Sequence, residues 1–93
     1  MKDFKKNNDQ FYLGEKAENP LAEITFAPTG EDKIIIDHTY VSGSLKGQGV
    51  GKQLVEKVVE YARQENIKII PQCAFAKSVL TKNDEYKDVL VEE

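Results

Sequence analysis

The sequence predicts a mixed α/β fold with three antiparallel strands, a crossover through one long helix to a parallel fourth strand, and short C-terminal helices. Three observations carry this expectation. β-Branched and aromatic residues alternate with polar ones through the first half of the chain, and an amphipathic helical pattern runs from about Val50 to Glu65. The glycine-rich segment Lys46-Gly47-Gln48-Gly49-Val50-Gly51 joins the two.

Gln10 to Gly14 reads as a short strand, and Glu15 to Pro20 connects it to the next. From Leu21 to Ala27 the alternation sets Ala22, Ile24 and Phe26 against Leu21, Glu23, Thr25 and Ala27. Pro28-Thr29-Gly30-Glu31-Asp32 has turn chemistry, and Lys33 to Val41 returns as the third strand. In the helix, an advance of about 100° per residue gathers Val50, Leu54, Val55, Val58, Val59, Tyr61 and Ala62 on one half. Lys52, Gln53, Glu56, Lys57, Glu60, Arg63 and Gln64 fall on the other, and only Glu65 is misplaced. So broad an apolar face belongs against a sheet. Asn66 ends the helix, and Ile67 to Ile70 is the fourth strand, parallel to the third because the crossover is right-handed. Ala74 to Thr81 is helical, and Asn83 caps a short turn of Asp84, Glu85 and Tyr86.

The glycine-rich junction is an anion site. The first N–H groups of a helix have no intrahelical partner, and glycines remove the side chains that would hold a phosphate away. A P-loop is excluded, because Lys46 stands where its first glycine belongs and Gln53 where its magnesium-binding hydroxyl belongs. A dinucleotide fingerprint is excluded as well, since the glycines fall at 47, 49 and 51 and the segment does not follow the first strand.

The segment resembles the acetyl-CoA loop of the GNAT N-acetyltransferases, Arg/Gln-x-x-Gly-x-Gly/Ala, with Gly49 and Gly51 matching and Lys46 in the Arg/Gln place. Pro71-Gln72-Cys73-Ala74-Phe75 and Asn83-Asp84-Glu85-Tyr86-Lys87-Asp88-Val89-Leu90 are similar to the minimal single-domain YjdJ-type members of that superfamily. The resemblance covers residues 34 to 90, and Lys46 keeps the charge of the motif without the planar guanidinium fork. It implies one GNAT-like domain over residues 1–93, with 1–8 flexible. It further implies acetyl-CoA as cosubstrate, acetyl transfer to an amine, and a pyrophosphate surrounded by Lys46, Gly47, Gln48, Gly49, Val50, Gly51 and Lys52. The pantetheine arm would lie along the backbone of Tyr40 and Val41, where Pro71, unable to donate to a ladder, is compatible with the parallel strands separating; the alternative is an ordinary edge-strand proline.

Three residues are candidates for the chemistry. Cys73 is expected near the thioester, as acyl acceptor or as neighbour of the leaving thiol; the alternative is a small buried hydrophobe. His38 is the single histidine and a candidate base, set against a structural or surface role, and Asp37 faces the other side if the strand is regular. A base matters because a lysine amine is less than ~0.1% uncharged at pH 7, whereas an α-amino group is near ~10%. Tyr86 sits where the family often places a general acid, but its spacing equally fits a core contact. Glu23 and Asp37 are further proton acceptors on strands, and no metal site is expected.

With 93 residues the chain should bury somewhat over ~60% of its unfolded surface. A net charge of −3 argues against nucleic acid as a partner and suits a basic acceptor, either small molecule or protein. Neither a membrane span nor a secretion signal is expected, and one cysteine fits a reducing, cytoplasmic setting. A monomer or weak homodimer is expected. Two alternatives to a transferase stand: a noncatalytic acyl-CoA-binding or regulatory module, and a structural interaction domain that binds no CoA.

Overall fold

The computed structural model describes residues 4–91. Five strands form one mixed sheet in sequence order: β1 (Lys5–Asn7), β2 (Gln10–Leu13), β3 (Ala22–Thr29), β4 (Lys33–Val41) and β5 (Lys68–Pro71). The first four are antiparallel and β5 is parallel to β4. Between β4 and β5 lies α1 (Val50–Glu65), and α2 (Ala74–Lys82) follows β5. No described helix is long and apolar enough to cross a membrane.

The expected antiparallel trio gains an edge strand. Residues 1–3 of the stretch read as flexible lie outside the described residues, but Lys5–Asn7 pair with Gln10–Tyr12. The turn between them is closed by the Asp9 N–H donating to Asn7 Oδ1 at 3.2 Å, and Lys6 lies over the Tyr61 ring, 4.6 Å from its centroid. Pro28 also proves to be a strand residue, opposite Ile34. Pairing of β2 with β3 stops at Gln10–Thr25, so a residue without an N–H leaves no ladder bond unmade on that side.

The core lies on one face of the sheet. Phe11, Ala22, Ile24, Phe26, Ile34 and Ile36 pack there against Leu54, Val55, Val58, Val59 and Ala62 of α1, with Ala76 and Leu80 of α2 completing it. α1 ends as expected. Asn66 takes the left-handed conformation at φ 57°, and the Ile67 N–H reaches Ala62 O at 2.9 Å, so Ile67 closes the helix and β5 starts one residue later.

Between Thr25 and Phe26 of β3 the register with β4 shifts, because Thr25 pairs with His38 and Phe26 with Ile36. Asp37 is the extra residue of a β-bulge, and the inward side chains therefore change from Ile34 and Ile36 to Thr39 and Val41. On the outer edge, β5 is paired by the C-terminal segment. Ile69 N–H donates to Val89 O at 2.6 Å and Val91 N–H to Ile69 O at 3.0 Å. Arg63 clips this segment, with two bonds of 2.9 Å to Asp88 and one of 2.6 Å to Glu85 O.

Candidate functional site

Strand β5 leaves its neighbour early. Its last pair is Ile36–Pro71, after which the N–H groups of Gln72 and Cys73 both donate to Ile36 O, at 3.0 and 3.1 Å. From Asp37 to Val41 the strand β4 continues without β5 beside it, and a short 3₁₀ turn at Gly43–Leu45 leads into the glycine loop. Gly47 and Gly49 both have positive φ, 82° and 74°, which bends the chain into the start of α1, with Gly49 as its N-cap residue. The Gln53 N–H closes the first helical bond to Gly49 O at 3.1 Å, leaving the N–H groups of Val50, Gly51 and Lys52 outside the α-helical ladder.

A cavity of about 470 Å³ occupies this place, lined by Thr39, Val41, Leu45, Lys46, Gly47, Gly49, Val50, Gly51, Lys52 and Phe75. Most of the expected loop residues and Val41 are brought together here. Gln48 is outside the lining and turns back to donate to Ser44 O at 3.4 Å, while Tyr40, expected to offer its backbone, has its side chain exposed opposite Glu23 on the sheet face away from α1. Three lining residues are new. Thr39 is aimed inward by the bulge, Leu45 comes from the 3₁₀ turn, and Phe75 is carried in on α2. Packing as well as phosphate access bears on Gly51, since a Cβ there would lie 2.8 Å from Phe75 Cζ.

Cys73 does not continue the strand; it is the N-cap residue of α2, half-buried, with Sγ 3.4 Å from Thr39 Oγ1. Burial pushes its thiol up, but the Thr39 hydroxyl and the backbone N–H groups of Ala76 and Phe75 outweigh that, leaving it below the usual thiol value. His38 and Asp37 do not face opposite ways. The bulge puts both on the open face, where Asp37 accepts a hydrogen bond from Thr25 and His38 stands opposite Thr25, outside the cavity lining. Tyr86 is likewise away from the cavity lining. It is buried against α1 with its hydroxyl 3.3 Å from Glu56, and burial, followed by the carboxylates of Glu85 and Glu56, pushes it up to about 12. The turn holding it is closed by main-chain bonds, because Asn83 makes no side-chain cap.

The family model of the GCN5-related N-acetyl-transferases matches residues 10–89. A GCN5-like protein of Staphylococcus aureus, determined in solution by NMR, is 48% identical over 98% of this chain and 89% of its own, with a TM-score of 0.83. A GNAT family acetyltransferase of Elizabethkingia anophelis with acetyl-CoA bound shares the fold at 16% identity, over 78% of this chain and 50% of its own, with a TM-score of 0.58. A predicted acetyltransferase of Clostridium acetobutylicum with acetyl-CoA does so at 21% identity, over 82% and 59%, with a TM-score of 0.55. No protein of curated function matches the chain in sequence. The match over residues 10–89, together with the Staphylococcus aureus structure, shows that the chain belongs to the GCN5-related N-acetyltransferases.

Proposed function

We propose that the chain binds acetyl-CoA in the loop cavity and transfers its acetyl group to an amine acceptor in the cytoplasm. The observation that carries this reading is the meeting, in one cavity, of the first N–H groups of α1 with the inward face of β4 beyond the last β5 pair. The residues present fit the cosubstrate. At Gly47 and Gly49 a Cβ would meet no protein atom within 4 Å, so the glycines leave open the space a phosphate needs, and Lys46 and Lys52 bring positive charge to it. The part of β4 that β5 has left is suited to pair with the amides of the pantetheine arm, as an added strand would. Two related folds hold acetyl-CoA, the Elizabethkingia anophelis and Clostridium acetobutylicum proteins.

Transfer needs an uncharged amine nitrogen at the thioester carbonyl. The C–N bond forms, the C–S bond breaks and the sulfur leaves as thiolate. Cys73, bonded to a cavity-lining threonine, is the group of this chain suited to act at the sulfur end, as acyl acceptor or as neighbour of the leaving thiol. His38, immediately after the bulge where β5 has left β4, is a candidate to take the amine proton from the open face.

A residue-resolved NMR titration with acetyl-CoA tests the binding half. Shifts should concentrate at Lys46 to Lys52, Thr39, Val41 and Cys73, and silence at saturating ligand would overturn the reading. Incubation with a panel of amines, read by mass spectrometry, tests the transfer half; binding without any acetylated amine would favour a noncatalytic acyl-CoA module.

A further inference from the structure

We infer that the acceptor is a diamine whose second, charged nitrogen sits on the open face of the sheet at Glu23, between Tyr12 and Tyr40; the inference rests on reading the chain as an acetyl-CoA transferase. The core, with α1 and α2, lies on the other face. Register pairs Glu23 of β3 with Tyr12 of β2 on one side and with Tyr40 of β4 on the other. Directly opposed residues of antiparallel strands point to the same face with Cβ atoms about 4.5–5.5 Å apart, so the three side chains form one row, a carboxylate flanked by two phenols. Tyr40 is 42% exposed, and Glu23 and Tyr12 are half-buried, so the row is open to a ligand.

The carboxylate is fixed from one side. Gln10, only 6% exposed, donates from Nε2 to Glu23 Oε1 at 2.7 Å and to Ala17 O at 3.1 Å, and its own Oε1 accepts from Asn7 Nδ2 at 2.6 Å. Its charge is left unneutralised: among the described residues Glu23 makes no ion pair, and Lys5 stands beyond Tyr12 in the row. A carboxylate between aromatic side chains suits an organic ammonium, which gains both the opposite charge and the ring faces. The row also lies within reach of the reaction. His38, the candidate base, is two residues from Tyr40 on the same face. A pantetheine arm paired to β4 as an added strand stands two strand spacings from β3, about 10 Å. An ammonium bonded to Glu23 at about 2.8 Å then leaves roughly 7 Å to the attacking nitrogen, a gap that an extended butane or pentane chain spans.

The test is kcat/KM for acetyl transfer to cadaverine and to pentylamine, which has the same chain and a single nitrogen. The wild type should prefer the diamine by about tenfold, the sum of one exposed charge pair and one cation–ring contact. Glu23→Gln should remove most of that preference and Tyr40→Leu part of it. Glu60→Gln, on the outer face of α1, changes the net charge equally and should keep the wild-type ratio. Equal rates for the two amines, or a ratio that Glu60→Gln lowers as far as Glu23→Gln does, would overturn the inference. If neither amine is acetylated, the transfer reading fails instead, and an NMR titration with pentylammonium chloride against sodium chloride decides the cation site. Shifts at Tyr12, Glu23 and Tyr40 that Glu23→Gln abolishes would uphold that site, and their absence would sink it.

Discussion

The Cys73 thiol is the residue whose environment has the plainest chemical consequence. The thiolate is the reactive form, so alkylation by iodoacetamide should rise with pH through the folded-state pKa, and its midpoint should fall below that of the same cysteine in the denatured chain. A midpoint at or above that value would show that burial outweighs Thr39 and the α2 N–H groups. Gly51 makes a second prediction with opposing parts. Alanine is the better helix former by about 1 kcal/mol, but its Cβ strikes the exposed end of the Phe75 ring, which can swing outward. Gly51→Ala should therefore leave thermal stability within about 1 kcal/mol of the wild type and weaken acetyl-CoA binding, measured by melting and titration side by side. The glycines themselves were legible in the sequence, because their spacing before a helix has a local reason. Thr39 and Phe75 were not: one is turned inward by a bulge and the other is brought to Gly51 by helix packing, and neither event leaves a mark in nearby residues. Of the two readings of Tyr86, the core contact is the one visible in its burial beside Glu56, and main-chain bonds close the turn where an Asn83 cap was expected.

Among the elements, α1 was readable to the residue because its apolar stripe has one period and its end has an αL asparagine. The stripe also says what holds the loop in place. Leu54 is fully buried in the core, so Leu54→Ala should destabilise by about 2–5 kcal/mol in denaturant unfolding. A cost under 1 kcal/mol would mean that α1 is not anchored as described. The strands were legible where one face is buried and the other wet, as in Ala22, Ile24 and Phe26. Lys5–Asn7 carries no such alternation and joins the sheet only because a two-residue turn folds it onto β2. The bulge escaped for a similar reason. Asp37 and His38 are two polar residues in an apolar strand, a pattern that a regular strand with one side chain on each face would also produce.

For the whole molecule, the C-terminal segment closes the fold, and its charges give it pH limits at both ends. The Tyr86 phenol is raised in the folded state above its unfolded value near 10, so its contribution to stability is complete below pH ~10 and is lost as pH rises toward about 12. Tyr86→Phe cannot ionise there, and its stability should lack that decline in an alkaline melting series; parallel curves would refute the assignment. At the acid end the sign reverses. A hydrogen bond from Arg63 holds the Asp88 carboxyl below the usual carboxylate range, so what this pair adds is present above about pH 4 and fades as pH falls through the folded value. Few of these contacts could be read from residues 83 to 91, since Arg63 and Ile69 find their partners only after the chain has folded back. The pairing of Ile69 with Val89 and Val91 also bears on how the protein is made. A ribosome delivers residues in order, so β5 emerges well before the segment that covers its outer edge. Until residues 89–91 leave the exit tunnel, the nascent sheet presents an uncovered strand, and in that interval it is open to pairing with another chain.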